Sequence, residues 1–496
     1  MGLDGGVRLD ELRAAAISIG AADLEAAREG FHRAYKSRSA KRTFHYTQIF
    51  ALALIASAIA YGIHIAPDLA WPLIRAAAIT LFASAILLRL FAAAHLRPLL
   101  SRLADTPTCP TYTILCPLYR EANVVADLVA ALDRLDYPRG ALDIKLIVEG
   151  DDVDTLAAAL AVAGAPHIEV IIVPASAPRT KPKALNAGLI HARGDYVVVY
   201  DAEDRPHPAQ LRAALDAFED GPDNLACVQA PLEIDNANAS WIARQFAAEY
   251  AILFRELLPL LASLRLPFPL GGTSNHFRID ALRAVGGWDP YNVTEDADLG
   301  YRLARDRYAA AMIGPPTYEE APITFRAWLA QRTRWIKGHM QTWLMLMRNP
   351  WRTLRELGLR GFLMMQLMLG GGLVAAFAHG PLACIVLIAA LSPYKLLSAA
   401  DFTLALAGLC VAFFAALTAS AVSGNFSHLR AALTMPAYWP LATIAAWRAL
   451  FELVFRPHHW AKTAHGLSQR RRMRAYTAPQ RNDFNSAHIA STSASG

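Results

Sequence analysis

From Thr43 to Pro67 the chain runs for 25 residues without a Lys, Arg, Asp or Glu. As a helix that run exceeds the roughly 30 Å hydrocarbon core of a bilayer, which makes a membrane span its natural structure. Phe402 to Phe426 repeats the pattern over 25 residues, and Gly361 to Tyr394 extends it to 34. These runs help to lift the hydrophobic fraction to 54%, above the roughly 45–50% usual for soluble proteins. Trp71 to Ala94 is interrupted by Arg75 and Arg89, both near its ends, and reads as a second span whose guanidinium groups snorkel to the headgroups.

Gly361 to Tyr394 is compatible with one long span or with a tight pair broken at Gly380-Pro381. Ala431 to Phe455 carries Arg448 and Glu452 four apart, as in an interfacial helix or a less regular span. The segment 358–456 thus holds two to four membrane or interfacial helices. Arg33, Lys36, Arg38, Lys41 and Arg42 precede the first span, Arg97 and Arg102 follow the second, and Ala66 to Ala70 has no basic residue. The positive-inside rule then places the N-terminus and residues 97–355 in the cytoplasm, in a multi-pass protein of a bacterial-type inner (plasma) membrane. The net charge of +6 concentrates beside the spans, so it does not call for nucleic acid. Five scattered cysteines fit buried thiols in a reducing compartment better than disulfides or zinc. No cleavable secretory signal is expected, because residues 1–45, a cytoplasmic arm with one or two short amphipathic helices, are charged throughout.

Residues 108–350 alternate strand and helix signals between the membrane segments at 46–96 and 358–456. Strands are predicted at Tyr112–Cys116, Asp143–Val148, Ile168–Val173 and Tyr196–Tyr200, with helices at Asn123–Leu135, Val153–Val162, Ala184–Ala192 and Pro208–Phe218. Four β-α units in succession predict a parallel, doubly wound sheet. Ligands of such sheets bind outside the carboxyl ends of the strands, where two of these strands end in acids. Asp201-Ala-Glu203-Asp204 follows one of them. If the segment stays extended, Asp201 and Glu203 share a side and suit Mg²⁺ or Mn²⁺, while Asp204 turns elsewhere. Glu149-Gly-Asp151-Asp152 follows the other, as a polar crevice for a base and ribose or as acids favoured by a helix dipole.

Three further clusters carry chemistry. Lys181, Lys183 and Asn186 open a helix, where ammonium groups oppose the dipole unless an anion joins them; an exposed basic turn is the alternative. Thr294-Glu-Asp296-Ala-Asp298 offers Thr294 as a helix cap, its acids being either dipole partners or a general base for a sugar hydroxyl. Gln331-Arg-Thr-Arg334-Trp335 lies in a helix predicted over 325–347, with an apolar, tryptophan-rich face for the membrane interface and Gln331 and Arg334 beside it.

Taken in order, these motifs resemble the membrane-embedded family-2 inverting glycosyltransferases of GT-A fold that include cellulose, hyaluronan and β-glucan synthases. Pro117-Leu-Tyr-Arg-Glu121 resembles the family's Pro-x-Tyr-Asn-Glu, with Arg120 in place of Asn. Asp201-Ala-Glu203 resembles Asp-x-Asp, Thr294-Glu-Asp296 matches Thr-Glu-Asp, and Gln331 to Trp335 matches Gln-x-x-Arg-Trp. The resemblance covers roughly residues 110–350 and the flanking membrane layout. It implies an α/β, Rossmann-like nucleotide-diphospho-sugar transferase domain on the cytoplasmic face.

In that frame Tyr119, Glu121 and an acid among Glu149, Asp151 and Asp152 hold uridine, with Lys181 or Lys183 and Asn186 near the donor. Asp201 and Glu203 hold Mg²⁺ or Mn²⁺, Gln331 and Arg334 hold the diphosphate, Trp335 stacks on the acceptor sugar, and Asp296 is the base. Gly271-Gly-Thr-Ser-Asn-His276 falls where the family forms part of the acceptor pocket. The implied activity is transfer from a UDP-sugar to a hydroxyl, foremost in processive β-linked polysaccharide synthesis with export through the chain's own helices, aided by export or periplasmic partner proteins. A lipid-linked acceptor such as a polyprenyl phosphate in a single transfer, or a catalytically degenerate membrane scaffold, are the alternatives. Residues 457–496 are expected to form a basic cytoplasmic tail, disordered beyond about residue 475.

Overall fold

The structure is a computed structural model describing residues 15–96, 99, 109–392 and 397–460. Arg97, Arg102 and most of the tail predicted over 457–496 lie outside the described residues. In chain order the elements used below are β1 (Ile17–Ser18), α1 (Ala21–Ala34), α2 (Tyr46–Ile65), α3 (Pro67–Ala94), β2 (Tyr112–Leu118), α4 (Val125–Leu132), β3 (Leu142–Glu149), α5 (Val153–Val162), β4 (Ile168–Val173), α6 (Lys181–Ile190) and β5 (Tyr196–Val199). They continue through β6 (Arg205–Pro206), α7 (Gln210–Glu219), β7 (Leu225–Gln229), β8 (Leu232–Ile234), α8 (Trp241–Ile252), β9 (Asn275–Arg278) and α9 (Glu295–Arg305). The last are β10 (Ala309–Met312), β11 (Thr317–Glu319), α10 (Phe325–Leu346), α11 (Pro350–Leu391), α12 (Ala399–Ser423) and α13 (Leu441–Phe455).

The main sheet has the order β1-β4-β3-β2-β5-β9-β7-β10. β1 through β5 run parallel, as their apolar, β-branched sequences predict, but β9 lies antiparallel between β5 and β7 and makes the sheet mixed. The sequence of β9 hides this, since Asn275, His276 and Arg278 break any apolar run. His276 is buried between Tyr112, whose hydroxyl lies 2.8 Å from Nδ1, and Gln210, and burial pushes its pKa down to about 3. A small second sheet, β6-β11-β8, folds beside the end of β5. Because β3 and β5 flank β2, successive connections leave it in opposite directions. That reversal opens a crevice at the carboxyl ends of β2 and β5.

The N-terminal arm belongs to this domain. Ile17 and Ser18 add a parallel edge strand to β4, and α1 packs on α6. Asn186 fixes that contact by donating to the Ala27 and Trp288 carbonyls at 3.2 and 2.8 Å while accepting from the Trp288 amide at 3.0 Å. Its side chain is fully used in packing, which corrects its expected place near a donor.

Four helices, α2, α3, α11 and α12, are long and apolar enough to cross a membrane. α2 leaves Phe50 71% and Leu54 59% exposed, an apolar surface of the kind lipid covers. Arg75 pairs with Asp401 of α12 at 2.8 Å. The run from Gly361 is one helix rather than a pair: Pro381 lies inside it without breaking it, and Gly370-Gly-Gly372 falls at a wide turn over 366–371. Residues 427–455 form short helices at Ser427–Ala432 and Met435–Tyr438 and then the 15-residue α13. α10 also departs from expectation. Its apolar residues Trp328, Ile336, Met340 and Leu344 are buried against α8, α11, α13 and Tyr438, so protein takes the place of the membrane interface.

Candidate active site

The crevice at the β2–β5 switch point opens into a cavity of about 810 Å³. Tyr119, Glu121, Glu149, Lys181, Asp201, Glu203, Asp296, Gln331, Arg334 and Trp335 all line it, drawn from six separate stretches of chain. Glu149 ends β3, and burial raises its pKa against the opposing pull of Lys183 at 2.9 Å. Lys183 itself is fully buried behind that carboxylate and also donates to the Ser176 carbonyl, so it does not face the cavity. Asp151 is likewise turned outward, paired with Arg179 at 2.7 Å. Asp152 caps α5 and accepts from the Arg120 amide. Arg120 takes a left-handed backbone (φ 55°), a conformation that Asn tolerates better than Arg.

Asp201 and Glu203 face the cavity for a different reason from the one an extended strand supplies. β5 stops at Val199 and residues 202–203 turn. Asp204 folds back beneath that turn, accepting from the Asp201 amide at 2.7 Å and from the Thr273 hydroxyl. Lys181 Nζ lies 2.5 Å from Asp201 Oδ1 and 2.5 Å from the Gly272 carbonyl. Burial opposes the ammonium charge, yet Asp201, Glu295 and Asp296 together raise its pKa. Glu319, at the end of β11, brings a further acid into the cavity. Burial and then repulsion from Asp204, Glu203 and Asp201 raise its carboxyl well above the usual range.

Hard oxygens repelling one another in a closed space are a suitable donor set for Mg²⁺ or Mn²⁺. Among the described residues no three His, Cys, Asp or Glu side chains already converge as a cage. A cation here would be held by one or two carboxylates, with phosphate oxygens and water completing its shell.

Across the cavity stands the start of α9. From Gly287 to Leu303 every residue is buried except Asp296. Its Oδ1 accepts from the Ala297 amide at 2.7 Å. Burial raises the Asp296 pKa, against the lowering effects of that amide, Lys181 and Arg334, and Glu295 is raised by burial and by Asp296. Thr294 occupies the cap position without a side-chain cap bond, and its buried Oγ1 has no partner, contrary to the expected cap.

Residues 196–422 match the family model described as "Glycosyl transferase family group 2". That stretch is just under half of the chain and is similar to the family from β5 onward. The match begins at β5, so the strands that present Tyr119, Glu121 and Glu149 precede it. Beta-monoglucosyldiacylglycerol synthase from Synechocystis sp. is 28% identical over 281 residues, covering 55% of this chain and 57% of that protein. Glucomannan 4-beta-mannosyltransferase 2 from Arabidopsis thaliana is 30% identical over 145 residues, 29% of this chain and 27% of that protein. The chain spans about half the length, or less, of the curated relatives it matches. Among solved structures, the mannosyltransferase PcManGT from Pyrobaculum calidifontis, in complex with GDP-Man and Mn2+, is 19% identical with a TM-score of 0.49. It covers 77% of this chain and 98% of that one.

In this domain α10 forms the wall facing β5 and clamps the turn that carries Asp296. Gln341 Oε1 accepts from the Val293 amide at 3.1 Å, Asn292 donates to the Thr342 hydroxyl at 3.0 Å, and Arg334 reaches the Val293 carbonyl at 3.5 Å. Gln331 Oε1 and Arg334 Nε are buried without partners, two orphaned polar atoms beside the cavity. Residues 458–460, assigned from sequence to the tail, return to line the same wall. The Arg334 guanidinium sits 4.4 Å from the centre of the Trp460 ring, and Lys337 donates to the His459 carbonyl at 2.8 Å.

The close approach of α10 to Thr294 requires Gly338, where a Cβ would stand 2.3 Å from Thr294 Oγ1. Gly338→Ala must displace the Asp296 turn or the helix, an overpacking cost of about 1–3 kcal/mol. A lowered thermal midpoint together with lowered turnover is the expected result. Unchanged values for both would show that the two backbones separate freely.

Proposed function

We propose that the protein transfers a hexose, with inversion, from a nucleoside diphosphate sugar to a hydroxyl of a membrane lipid at the cytoplasmic surface of the inner membrane. The observation that carries this reading is the exposure of Asp296 alone, within a buried turn, opposite Asp201, Glu203 and Arg334 in a single cavity. Tyr119, Glu121 and Glu149 receive the nucleoside, uridine being the base the sequence resemblance implies. Asp201 and Glu203, with Glu319 nearby, would hold Mg²⁺ or Mn²⁺, which neutralises the diphosphate when bound.

Asp296 takes the proton of the acceptor hydroxyl as its oxygen forms the new bond to the anomeric carbon. The bond from that carbon to the diphosphate oxygen breaks on the opposite side, which inverts the centre. Arg334 and Lys181 stabilise the charge left on the diphosphate. Because that charge needs no proton to leave, one base completes the reaction.

A lipid acceptor is favoured by the apolar side of the cavity. Leu232, Phe254, Leu258 and Leu270 line it and belong to one packed cluster with Leu88 of α3 and Met364 and Met368 of α11. Sugar transfer therefore takes place beside the helices that face lipid. A lipid product also agrees with the name of the Synechocystis relative, a glucosyldiacylglycerol synthase.

Polysaccharide elongation, with export through the chain's own helices, is a second reading. It has one specific support: Trp335 stacks on Tyr250 at 6.1 Å and 25° in the cavity wall, a platform suited to an acceptor sugar ring. Reconstituted protein given a panel of UDP- and GDP-sugars, with either diacylglycerol or β-linked oligosaccharides, separates the two readings. The lipid reading expects nucleoside diphosphate release coupled to a lipid carrying one added hexose. Products that grow by many sugars and need no lipid would overturn it in favour of elongation, and no release with any donor would overturn transfer itself.

A further inference from the structure

Near the end of α9 opposite Asp296, two segments that lead into the long apolar helices converge. One is the loop 35–42 between α1 and α2; the other is the start of α11. Arg348 joins them, donating to the carbonyls of Ser37 and Ser39 at 3.0 Å each and to that of Arg42. Between them lies a cavity of about 720 Å³ lined by Arg33, Tyr35, Lys36, Arg38, Asp306 and Arg352.

Cations outnumber the acids that could neutralise them. Glu356 alone serves three guanidinium groups, Arg305 at 2.5 Å, Arg352 at 2.7 Å and Arg38 at 3.6 Å. Lys36, Arg42, Arg355 and Arg360 are exposed, and among the described residues they pair with no carboxylate. Ordinary solvation explains one exposed lysine. It does not explain why an arginine is committed to ordering a loop that brings Lys36, with Arg33 and Arg38, to the cavity, while Arg42, Arg355 and Arg360 lie outside its lining.

The position of the cavity selects its occupant. α2 begins at Tyr46, 75% exposed, and α11 opens with Trp351, 72% exposed, the aromatic types that sit at headgroup level. The helical path of α11 is interrupted at Gly358 (φ 68°), which separates its basic first turns from the apolar span. Cations, interfacial aromatics and the entries of two spans thus share one level, where the available anion is a lipid phosphate.

We infer that this cavity is a binding site for the headgroup of an anionic phospholipid. The site also touches the far end of the helix that carries Asp296. α9 ends in Arg305 and is followed by Asp306, which accepts from Arg38 at 2.7 Å. The assignment depends on the membrane helices and not on the transfer reaction, so it stands or falls separately from the proposed activity.

The test uses the full chain purified from mixed micelles of phosphatidylglycerol and phosphatidylcholine, with the retained lipid quantified by mass spectrometry. Wild type is expected to retain phosphatidylglycerol at least about tenfold over phosphatidylcholine at low salt, and to lose that preference near 0.5 M salt, an order of magnitude set by surface-charge attraction. The triple variant Arg33→Gln, Lys36→Gln, Arg352→Gln removes three exposed cations that line the cavity and is expected to fall to about twofold. Equal retention of the two lipids by wild type would overturn the site. So would a preference that survives high salt, displacement by inorganic phosphate alone, or an unchanged preference in a triple variant that melts like wild type. Should the variant not fold, the salt and phosphate arms on wild type decide the matter.

Discussion

Asp296→Asn is expected to lower sugar-transfer turnover by about 10²- to 10⁴-fold, the contribution of a positioned general base, while nucleoside diphosphate affinity stays within about twofold. The amide keeps the shape of the carboxylate and can still accept from the Ala297 amide, so the turn at the start of α9 has no reason to move. What is lost is the carboxylate oxygen of the one residue in that turn that is not buried. The pH dependence follows from the same burial. Asp296 must be ionised to act, and its pKa is raised, so activity should fall on acidification at a pH above that of an ordinary aspartate. In the variant the residual rate should lose that acid limb. Calorimetric binding of the nucleoside diphosphate alongside turnover separates the outcomes. Turnover above one tenth of wild type would remove Asp296 from the chemistry, and a parallel collapse of nucleotide binding would make it a structural residue.

Much of this site was legible in the sequence because strand ends are legible. Apolar runs fixed β2, β3 and β5, and the acids that follow them emerge at one sheet edge whatever the loops do. Asp201 and Glu203 were paired from an assumed extended backbone. The structure turns at 202–203 instead, and the pair survives because Asp204 anchors the turn. Of the alternatives Lys181 and Lys183, the cavity receives Lys181, and the helix period shows why both cannot serve. Two residues along a helix is about 200°, so Lys181 and Lys183 cannot face the same cavity. Asn186 was missed as a packing residue because its partners, Ala27 and Trp288, are remote in sequence.

Glu319 and Trp460 were not found for a related reason. Glu319 ends a three-residue strand whose position depends on pairing with 205–206 and 232–234, and Trp460 arrives only after four long apolar helices have returned the chain to α10. Neither segment carries a periodic signal. The tryptophan-rich face of α10 illustrates the opposite error. Its amphipathic pattern is real, but the pattern does not say whether lipid or protein covers it, and here α8, α11 and α13 do.

Arg334→Lys is the second variant with a large expected effect, a fall in turnover of about 10²- to 10³-fold, the range for removing one preorganised donor to a developing charge. Arg334 combines features that structure alone does not require. Its Nε is buried without a partner, its nearest acceptor is a carbonyl at 3.5 Å, and its guanidinium stacks on Trp460 at the cavity wall. A buried donor left unpaired costs about 1–3 kcal/mol, a cost that a diphosphate oxygen in the cavity would offset. Lysine keeps the charge but not the planar fork or the stacking, so it tests geometry rather than charge. The two roles open to Arg334 separate cleanly. If it grips the diphosphate, Arg334→Lys weakens nucleoside diphosphate binding and turnover while the thermal midpoint holds. If it only braces the Val293 carbonyl, the midpoint falls and nucleotide affinity does not change, and the transfer reaction must then leave its charge on Lys181 alone.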